Sequence, residues 1–403
     1  MSLQIADVVV VGGGIGGTVA ALLLARTGAR VTLLERRAAD AEPGAGLLLH
    51  PNGLSVLAGL GLGTAVDAAG HVLTTSAVRD RRGRVLLDLP VPAFGRGLDH
   101  LVAVRRSALH RILGDALAAE SAVTRVFGAE VVDASADGSV EWRTNGGTAW
   151  RTADLVIGAD GVHSTVRAAG EFGPVVRATG ERYLRVLVPR QAHGTLEGEF
   201  WTPLGLLGGA PVDAGTQYLY AAATAAPVAQ ALDAGDVGAL AQVWADVMQV
   251  AGRLLGSVDR IEDVLVNDVV RVECGSWQDG RTVLLGDAAH AMAPTLGQGA
   301  NSALVDAAVL TIELGAGRPV PEALERYQQR RRPAVLQVQR RADRAARLSS
   351  IRSGAVRGAR DLALRSLNHR PDVAARAVRD LQQEDPARLA EAVAAVTLTR
   401  VRS

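Results

Sequence analysis

An α/β architecture is predicted for this chain, namely an interrupted Rossmann-like domain, an inserted β-sheet domain and a C-terminal helical region. Three observations predict it. The run Asp7-Val8-Val9-Val10-Val11 breaks at Gly12-Gly13-Gly14-Ile15-Gly16-Gly17 and gives way to a helical pattern, Val19, Leu22, Leu23 and Ala25. The next hydrophobic run, Val31-Thr32-Leu33-Leu34, ends in Glu35. Far along the chain, two more strand-like runs end in acidic, glycine-bearing turns, Ala159-Asp160-Gly161 and Leu285-Gly286-Asp287. Strand, glycine turn, helix, strand and acid is the order of parts in a dinucleotide-binding βαβ unit.

Each glycine of the first motif has a mechanical role. Gly12 permits the tight turn, Gly14 lets the backbone approach a pyrophosphate, and Gly17 lets helix and sheet pack closely. The helix start offers N–H groups and a positive dipole end to the phosphates. Glu35 would hold ribose hydroxyls, and its charge favours a free 2′-OH, as in FAD or NAD, over a 2′-phosphate. The uncharged stretch Val8–Ala25 resembles a membrane span in hydropathy, but four successive valines and five glycines argue against one continuous helix.

With 403 residues the chain can hold two or three domains, and its 48% hydrophobic content is that of a globular protein. A formal net charge of +1 gives no electrostatic case for nucleic acid or an anionic membrane. Cys274 is the only cysteine, so there is no internal disulfide and no cysteine-based metal cluster. With no secretory signal at the start, the expected location is cytoplasmic. The sequence has no lysine, which excludes a lysine nucleophile, Schiff base or P-loop.

The elements follow in order. Leu54, Leu57 and Leu60 sit at helical spacing, and Gly59-Leu60-Gly61-Leu62-Gly63 reads as the stop of that helix and not as a second phosphate loop. Short strands with turns occupy Val72–Leu101. Val102-Ala103-Val104 leads into a helix bearing Leu109, Ile112, Leu113 and Leu117 on one face, with Ser107 as its expected N-cap. A β pair is expected over Thr124–Val132 and Val140–Trp150, and then a strand at Leu155–Gly158. Extended segments at Tyr183–Val188, Gly198–Trp201 and Gln217–Ala223 precede a helical piece near Val237–Val250. A strand at Thr282–Leu285, a long helix from Ser302 to Leu314 and an Arg-rich helical region after Pro321 complete the chain. The expected domains are 1–72, 100–176 and 268–320 for the nucleotide-binding core, 73–99 and 177–267 for a substrate domain, and 321–403 for the helical region.

Taken with Gly12, Gly14 and Gly17, the motifs Asp160-Gly161-Val162-His163-Ser164-Thr165-Val166-Arg167 and Gly286-Asp287-Ala288-Ala289-His290, followed by Pro294 and Gly297-Gln298-Gly299-Ala300-Asn301, form a set. This set resembles the single-component flavoprotein monooxygenases of the salicylate and para-hydroxybenzoate hydroxylase type, and the likeness runs to about residue 335. The resemblance implies an FAD-binding core in which Gly12, Gly14, Ile15, Gly16, Gly17, Glu35 and Arg36 hold the ADP half. Arg106, or its neighbour Arg105, would reach the phosphate and ribityl region, Gly46 and Leu47 within Gly44–Leu48 would line the flavin edge, and Asp160 would touch FAD. Gly286 and Asp287 would hold the ribityl chain, and Pro294, Gly297, Gly299, Ala300 and Asn301 would face the flavin, with Gly297 and Gly299 leaving room for the ring. A helix starting there would turn its positive end toward the flavin pyrimidine.

The same resemblance implies a reaction in which NADH or NADPH, bound transiently, reduces FAD and O2 then delivers one oxygen atom to an electron-rich aromatic, phenolic or polyketide-like small molecule through a flavin C4a-hydroperoxide. Asp160 and Asp287 have a plainer reading as helix caps, His163 and His290 as packed or capping residues, and Arg167 as a structural or FAD-proximal ion pair. Trp201, Tyr218 and Tyr220 are the candidate substrate residues, the tyrosines sharing a strand face, with core packing as the alternative. No residue stands out as a catalytic base. A flavin-dependent halogenase is disfavoured because that family depends on a lysine. An FAD-dependent reductase of an isoprenoid-type substrate and a flavin-carrying partner-binding protein remain alternatives, a homo-oligomer is compatible with the Arg-rich helices, and the segment after Arg357 departs from the family pattern.

Overall fold

Residues 5–38, 45–91, 98–190 and 194–398 are described by a computed structural model. The chain opens with β1 (Asp7–Val11), α1 (Ile15–Arg26) and β2 (Arg30–Glu35), then β3 (Gly46–Leu49), α2 (Pro51–Gly59), α3 (Gly63–Ala69) and β4 (His71–Leu73). β5 (Ser76–Asp80) and β6 (Val85–Leu89) make a first excursion, and β7 (Leu101–Arg105), α4 (Arg106–Ala118) and β8 (Val123–Phe127) return to the core. β9 (Glu130–Ala134), β10 (Ser139–Thr144) and β11 (Gly147–Thr152) form a meander ahead of β12 (Leu155–Gly158) and α5 (Thr165–Ala169). The second excursion comprises β13 (Pro174–Pro189), β14 (Gly198–Thr202), β15 (Gly205–Pro211), β16 (Thr216–Ala222), α6 (Ala226–Asp233), α7 (Val237–Ala245), α8 (Gln249–Leu255) and β17 (Leu265–Cys274). β18 (Gln278–Asp279), β19 (Thr282–Leu284), α9 (Asp287–His290), α10 (Gln298–Gly315), α11 (Val320–Ser349), α12 (Gly354–Leu367), α13 (Pro371–Leu381) and α14 (Pro386–Leu398) finish the chain.

The main sheet has the order β18-β19-β12-β1-β2-β8, and every pairing in it is parallel except β18 with β19. A parallel sheet is covered on both faces, which is why β1 reads as an unbroken valine run and is buried throughout from Val8 to Val11. From Ile15 to Ala25 every residue of α1 is buried. A helix apolar all round belongs in an interior, and this one lies between the sheet and α10. Among the described residues no helix is long and apolar enough to cross a membrane.

The second sheet, β17-β13-β16-β15-β14-β5-β6, collects strands from both excursions. One face carries Leu184, Val186, Phe200, Leu207 and Leu219 onto α6, α7 and α8. The opposite face carries Tyr183, Trp201, Tyr218 and Tyr220.

Several expectations need correction. Thr124–Val132 is not one strand: Gly128 turns at φ +65°, so β8 joins the main sheet beside β2 while β9 starts the meander. α4 begins at Arg106, and Ser107 is not its N-cap, because β7 runs straight into the helix through Arg105. The helical piece near Val237–Val250 is two helices, α7 and α8. The segment after Arg357 packs as three helices, and Gly59 gives Val393 of α14 room, since a Cβ at Gly59 would lie 2.7 Å from that side chain.

Candidate active site

Parallel strands bring their carboxyl ends to one edge, where ligands bind in open α/β sheets. Here that edge carries the Gly-rich loop after β1, Glu35 ending β2, Ala159-Asp160-Gly161 after β12 and Gly286-Asp287 after β19. From β2 to β19 is three strand spacings, roughly 14 Å.

The motifs pack directly on one another. A Cβ at Gly12, whose φ is +102°, would strike Ala159 O at 2.5 Å and Asp160 Cα at 2.8 Å, so first and second motifs abut. A Cβ at Gly16 would meet Leu285 Cδ1 and Ala303 Cβ, each at 3.0 Å, which sets the third motif and α10 against α1. Buried Arg167 donates to Val162 O at 2.7 Å and to Ala288 O at 2.8 Å, joining the second motif to the third. Among the described residues its side-chain hydrogen-bond partners are these backbone carbonyls, which stitch the two motifs together.

Glu35 accepts from Gly13 N at 2.8 Å through Oε2 and from Arg37 N at 2.9 Å through Oε1. Arg36 is exposed, and it is Arg37 whose Nε reaches Glu35, at 3.3 Å. Glu35, Gly13 and Arg37 share a cleft with Arg125, Val126 and Phe127. Among the described residues neither α1 nor α10 has a side-chain cap, so Ile15 and Gly16 at the start of α1, and Gly299 and Ala300 at the start of α10, leave first-turn N–H groups for a ligand.

Asp160 does cap a helix: Oδ2 accepts from Thr165 N at 2.7 Å and Val166 N at 3.2 Å. Its Oδ1 is buried with no partner among the described residues, and burial raises its pKa above the usual carboxylate range. Asp287 is exposed at the start of α9, and Pro294 is exposed in a 3₁₀ turn, Pro294–Leu296. His163 is exposed, whereas His290 is buried with Nε2 2.5 Å from Asp306 Oδ2. Asn301 is committed to structure: Oδ1 accepts from His50 N at 2.9 Å, and Nδ2 donates to Gly297 O at 2.7 Å and Leu48 O at 3.0 Å. A Cβ at Gly299 would meet nothing within 4 Å among the described residues. Gly297 lacks that space, since its Cβ would approach His50 Nε2 at 3.1 Å, and glycine is required there by φ +61°.

Gly44 lies outside the described residues. Gly46 and Leu47 lie on β3, antiparallel to β7, and Arg106 N donates to Ala45 O at 2.8 Å. Of the two candidate arginines, Arg105 is turned away, with Nε 2.6 Å from Asp213 Oδ2 and NH2 on Thr216. A Cβ at Gly46 would lie 2.3 Å from Tyr218 Cγ, so the tyrosine ring rests on the β3 backbone. Tyr218 and Tyr220 stack with ring centroids 5.3 Å apart, and burial raises the Tyr218 phenol to about 12. Both tyrosines belong to the sheet face that meets the nucleotide-binding core, and Trp201 shares that face.

Two side chains at this site escaped the sequence. Among the described residues His50 Nε2 has no partner; it is buried beside Gly297, and burial lowers the ring's pKa to about 4, so the ring is neutral at pH 7. Glu199, on β14, accepts from Trp201 Nε1 at 2.7 Å. The only available signals were their positions, one ahead of Pro51 and one at a two-residue spacing from Trp201.

The arrangement is that of a nucleotide-binding site at the edge of a parallel sheet, and the comparisons define its class as flavoprotein oxidoreductase. The FAD binding domain family model matches residues 5–192 and 211–342, and the chain belongs to that family. It is 32% identical over 331 residues to an aurachin C monooxygenase/isomerase of Stigmatella aurantiaca, covering 80% of this chain and 84% of the relative. Identity is also 32%, over 351 residues, with a 3-amino-4-hydroxybenzoate 2-monooxygenase of Streptomyces platensis, covering 83% and 86%. The fold matches Klebsiella pneumoniae HpxO complexed with FAD and uric acid at a TM-score of 0.78 and 25% identity, over 93% of this chain and 97% of that one. It matches 2-methyl-3-hydroxypyridine-5-carboxylic acid oxygenase in a tetrameric form at 0.76 and 28% identity, over 87% and 93%. The chain is an FAD-dependent monooxygenase, and the reductase and partner-binding alternatives give way.

The residues fit FAD on their own evidence. Among the described residues, added Cβ atoms at Gly14, Gly161 and Gly299 would meet nothing within 4 Å, which leaves an open path along the sheet edge. Two helix starts without a side-chain cap among the described residues point to it, and Asp160 Oδ1 and His50 Nε2 are buried polar atoms with no partner among those residues.

Proposed function

We propose that the chain inserts one oxygen atom from O2 into an electron-rich aromatic compound bearing a hydroxyl or amino group, with electrons from NADH or NADPH. Bound FAD would supply the electron transfer and the oxygen activation. Gly12, Gly14, Ile15, Gly16, Gly17 and Glu35 would hold the ADP half, with Arg36 at its rim. Arg106 and Asp160 would reach its middle, Gly286 and Asp287 the ribityl chain, and Gly46, Leu47, Pro294, Gly297, Gly299, Ala300 and Asn301 the ring, Asn301 by holding the loops around it. The nicotinamide would bind transiently, since the sequence carries one dinucleotide fingerprint. Residues 73–99 and 177–267 would form the substrate domain.

The observation that carries this reading is the Tyr218 ring seated on Gly46. It sets an aromatic wall from the inserted sheet against the segment where the flavin edge would lie. Tyr218, Tyr220 and Trp201 would orient a planar substrate and exclude water there.

Hydroxybenzoates, aminohydroxybenzoates, hydroxypyridines and quinolones are the compounds to screen for faster nicotinamide oxidation under air. At least one class should accelerate it and yield a product heavier by one oxygen atom. Product formation that persists without O2, or no acceleration by any class, would overturn the reading.

A further inference from the structure

Glu199 belongs to a cross-strand row. It pairs with Gly208 of β15, and Gly208 pairs with Tyr220 of β16. A Cβ at Gly208 would lie 2.1 Å from Tyr220 Cζ and 2.3 Å from its Oη, so the Tyr220 ring lies over the glycine and extends toward Glu199. Alternation along β14 separates the two faces: Phe200 points into the helix-backed core, and its neighbours Glu199 and Trp201 point the other way. On that other face Trp201 and Tyr220 are clustered with Ala293 and Leu296 from the loop of the third motif.

The carboxyl group is poorly supplied with partners for a half-buried acid. Trp201 Nε1 is its one hydrogen-bond donor, and no arginine pairs with it among the described residues. The nearby cations are engaged elsewhere: Arg360 stacks on the Trp201 ring at 5.0 Å and bonds Asp361, while Arg84 and Arg365 bond Asp80, the β5 neighbour of Trp201. Tyr183 and Tyr220 are the titratable groups facing it. A carboxyl group kept for structure is normally saturated with donors, so this one is under-used as a structural element.

We propose that Glu199 is the residue that receives the substrate's polar substituent, accepting a hydrogen bond from a ring O–H or N–H and removing that proton before oxygen is inserted. The O–H or N–H bond breaks heterolytically, its electron pair stays on the substrate heteroatom, and the proton resides on Glu199 until it is returned to the product or to solvent. The ring becomes more electron-rich, as an electrophilic oxygen insertion requires. Burial pushes the Glu199 carboxyl up to about 7, close to the pH at which a general base works best. This assignment rests on the aromatic-hydroxylation reading above.

Two variants test it in the FAD-loaded protein. With a substrate from the screen, Glu199→Gln, which keeps the acceptor for Trp201, should lower kcat/KM by roughly 10²–10⁴-fold and remove a rise with pH that the wild type shows near pH 7. Equilibrium binding of a hydroxyquinoline and its O-methyl ether, read from the flavin absorbance, gives a readout without turnover. Wild type should prefer the hydroxyl compound by about tenfold or more, and Glu199→Leu should lose the preference. A pH rise that survives in Glu199→Gln, or no preference in the wild type, overturns the assignment. If wild type shows the preference but oxygenates nothing, hydroxylation falls and the recognition role of Glu199 stands; if it oxygenates with a pH profile that ignores position 199, the reverse holds.

Discussion

Gly17→Ala is expected to yield a colourless, less stable protein, whereas Gly14→Ala is expected to yield a protein of wild-type stability that has lost most of its affinity for FAD. At Gly17 the added Cβ would stand 1.9 Å from Gly12 O and 3.1 Å from Ala159 Cβ. The oxygen belongs to a turn residue at φ +102°, whose N–H donates to Leu34 O at 2.8 Å, so backbone must move. Overpacking of that kind costs about 1–3 kcal/mol, and a distorted phosphate loop should weaken FAD by a further 10- to 100-fold or so. Gly14 has φ −67° and ψ 179°, which any residue adopts, and among the described residues its Cβ would meet no atom within 4 Å. Only a ligand can feel it. Thermal melting and FAD titration of the two variants separate the roles; Gly14→Ala with unchanged FAD affinity would remove the pyrophosphate from this loop.

Asp306→Asn is expected to destabilise the fold by about 3–5 kcal/mol, because it leaves a buried guanidinium without its counter-charge. Asp306, His290 and Arg331 are all buried. Asp306 Oδ1 accepts from Arg331 Nε at 2.8 Å, and Oδ2 accepts from Gly286 N at 3.0 Å and faces His290. Arg331 also donates to Gln383 Oε1 at 2.6 Å, and the Gln383 amide donates to Ser302 Oγ at 2.9 Å and Gln298 Oε1 at 3.1 Å. Gln383 holds a left-handed backbone, φ +65°, the one non-glycine residue to do so among those described. The network therefore ties the C-terminal helices to the third motif and the start of α10. Burial alone would raise the Asp306 pKa, but the charges of His290 and Arg331 hold it at about 2, below its ordinary 3.8. Its contribution is thus fully present above the unfolded value and is lost as pH falls through the folded one. Denaturant melts should show the deficit of Asp306→Asn constant from pH 5 to 7 and shrinking below about pH 4. Replacing Arg331 by methionine in the same chain should recover part of the loss. A deficit below about 1 kcal/mol would mean that the pair is not a stabilising tie.

What the sequence disclosed follows the range of the interactions involved. The Gly-rich turn, the acid ending β2 and the strand-end motifs are local chemistry, so Gly12, Gly17, Glu35 and Asp160 could be placed before any contact was known. Gly128 was harder, because a single positive-φ residue divides two strands that share one hydrophobic pattern. Ser107 has the chemistry of a cap, yet the helix enters two residues earlier, with Arg105 at the cap position. The Asp306 network joins residues 16 to 85 positions apart, and no periodicity announces that Gln383 will reach Gln298. Glu199 depends on register, since only the pairing with Gly208 opens the space that Tyr220 occupies.

The most direct measurement is a crystal structure of the protein purified with FAD. One FAD is expected along the carboxyl edge of the main sheet. Its adenosine ribose should lie at Glu35, its pyrophosphate at Gly14 and the start of α1, its ribityl chain at Asp287, and its ring between Gly46 and Gly299 beneath Tyr218 and Tyr220. Density for FAD elsewhere, or a ring separated from those tyrosines by intervening protein, would contradict it.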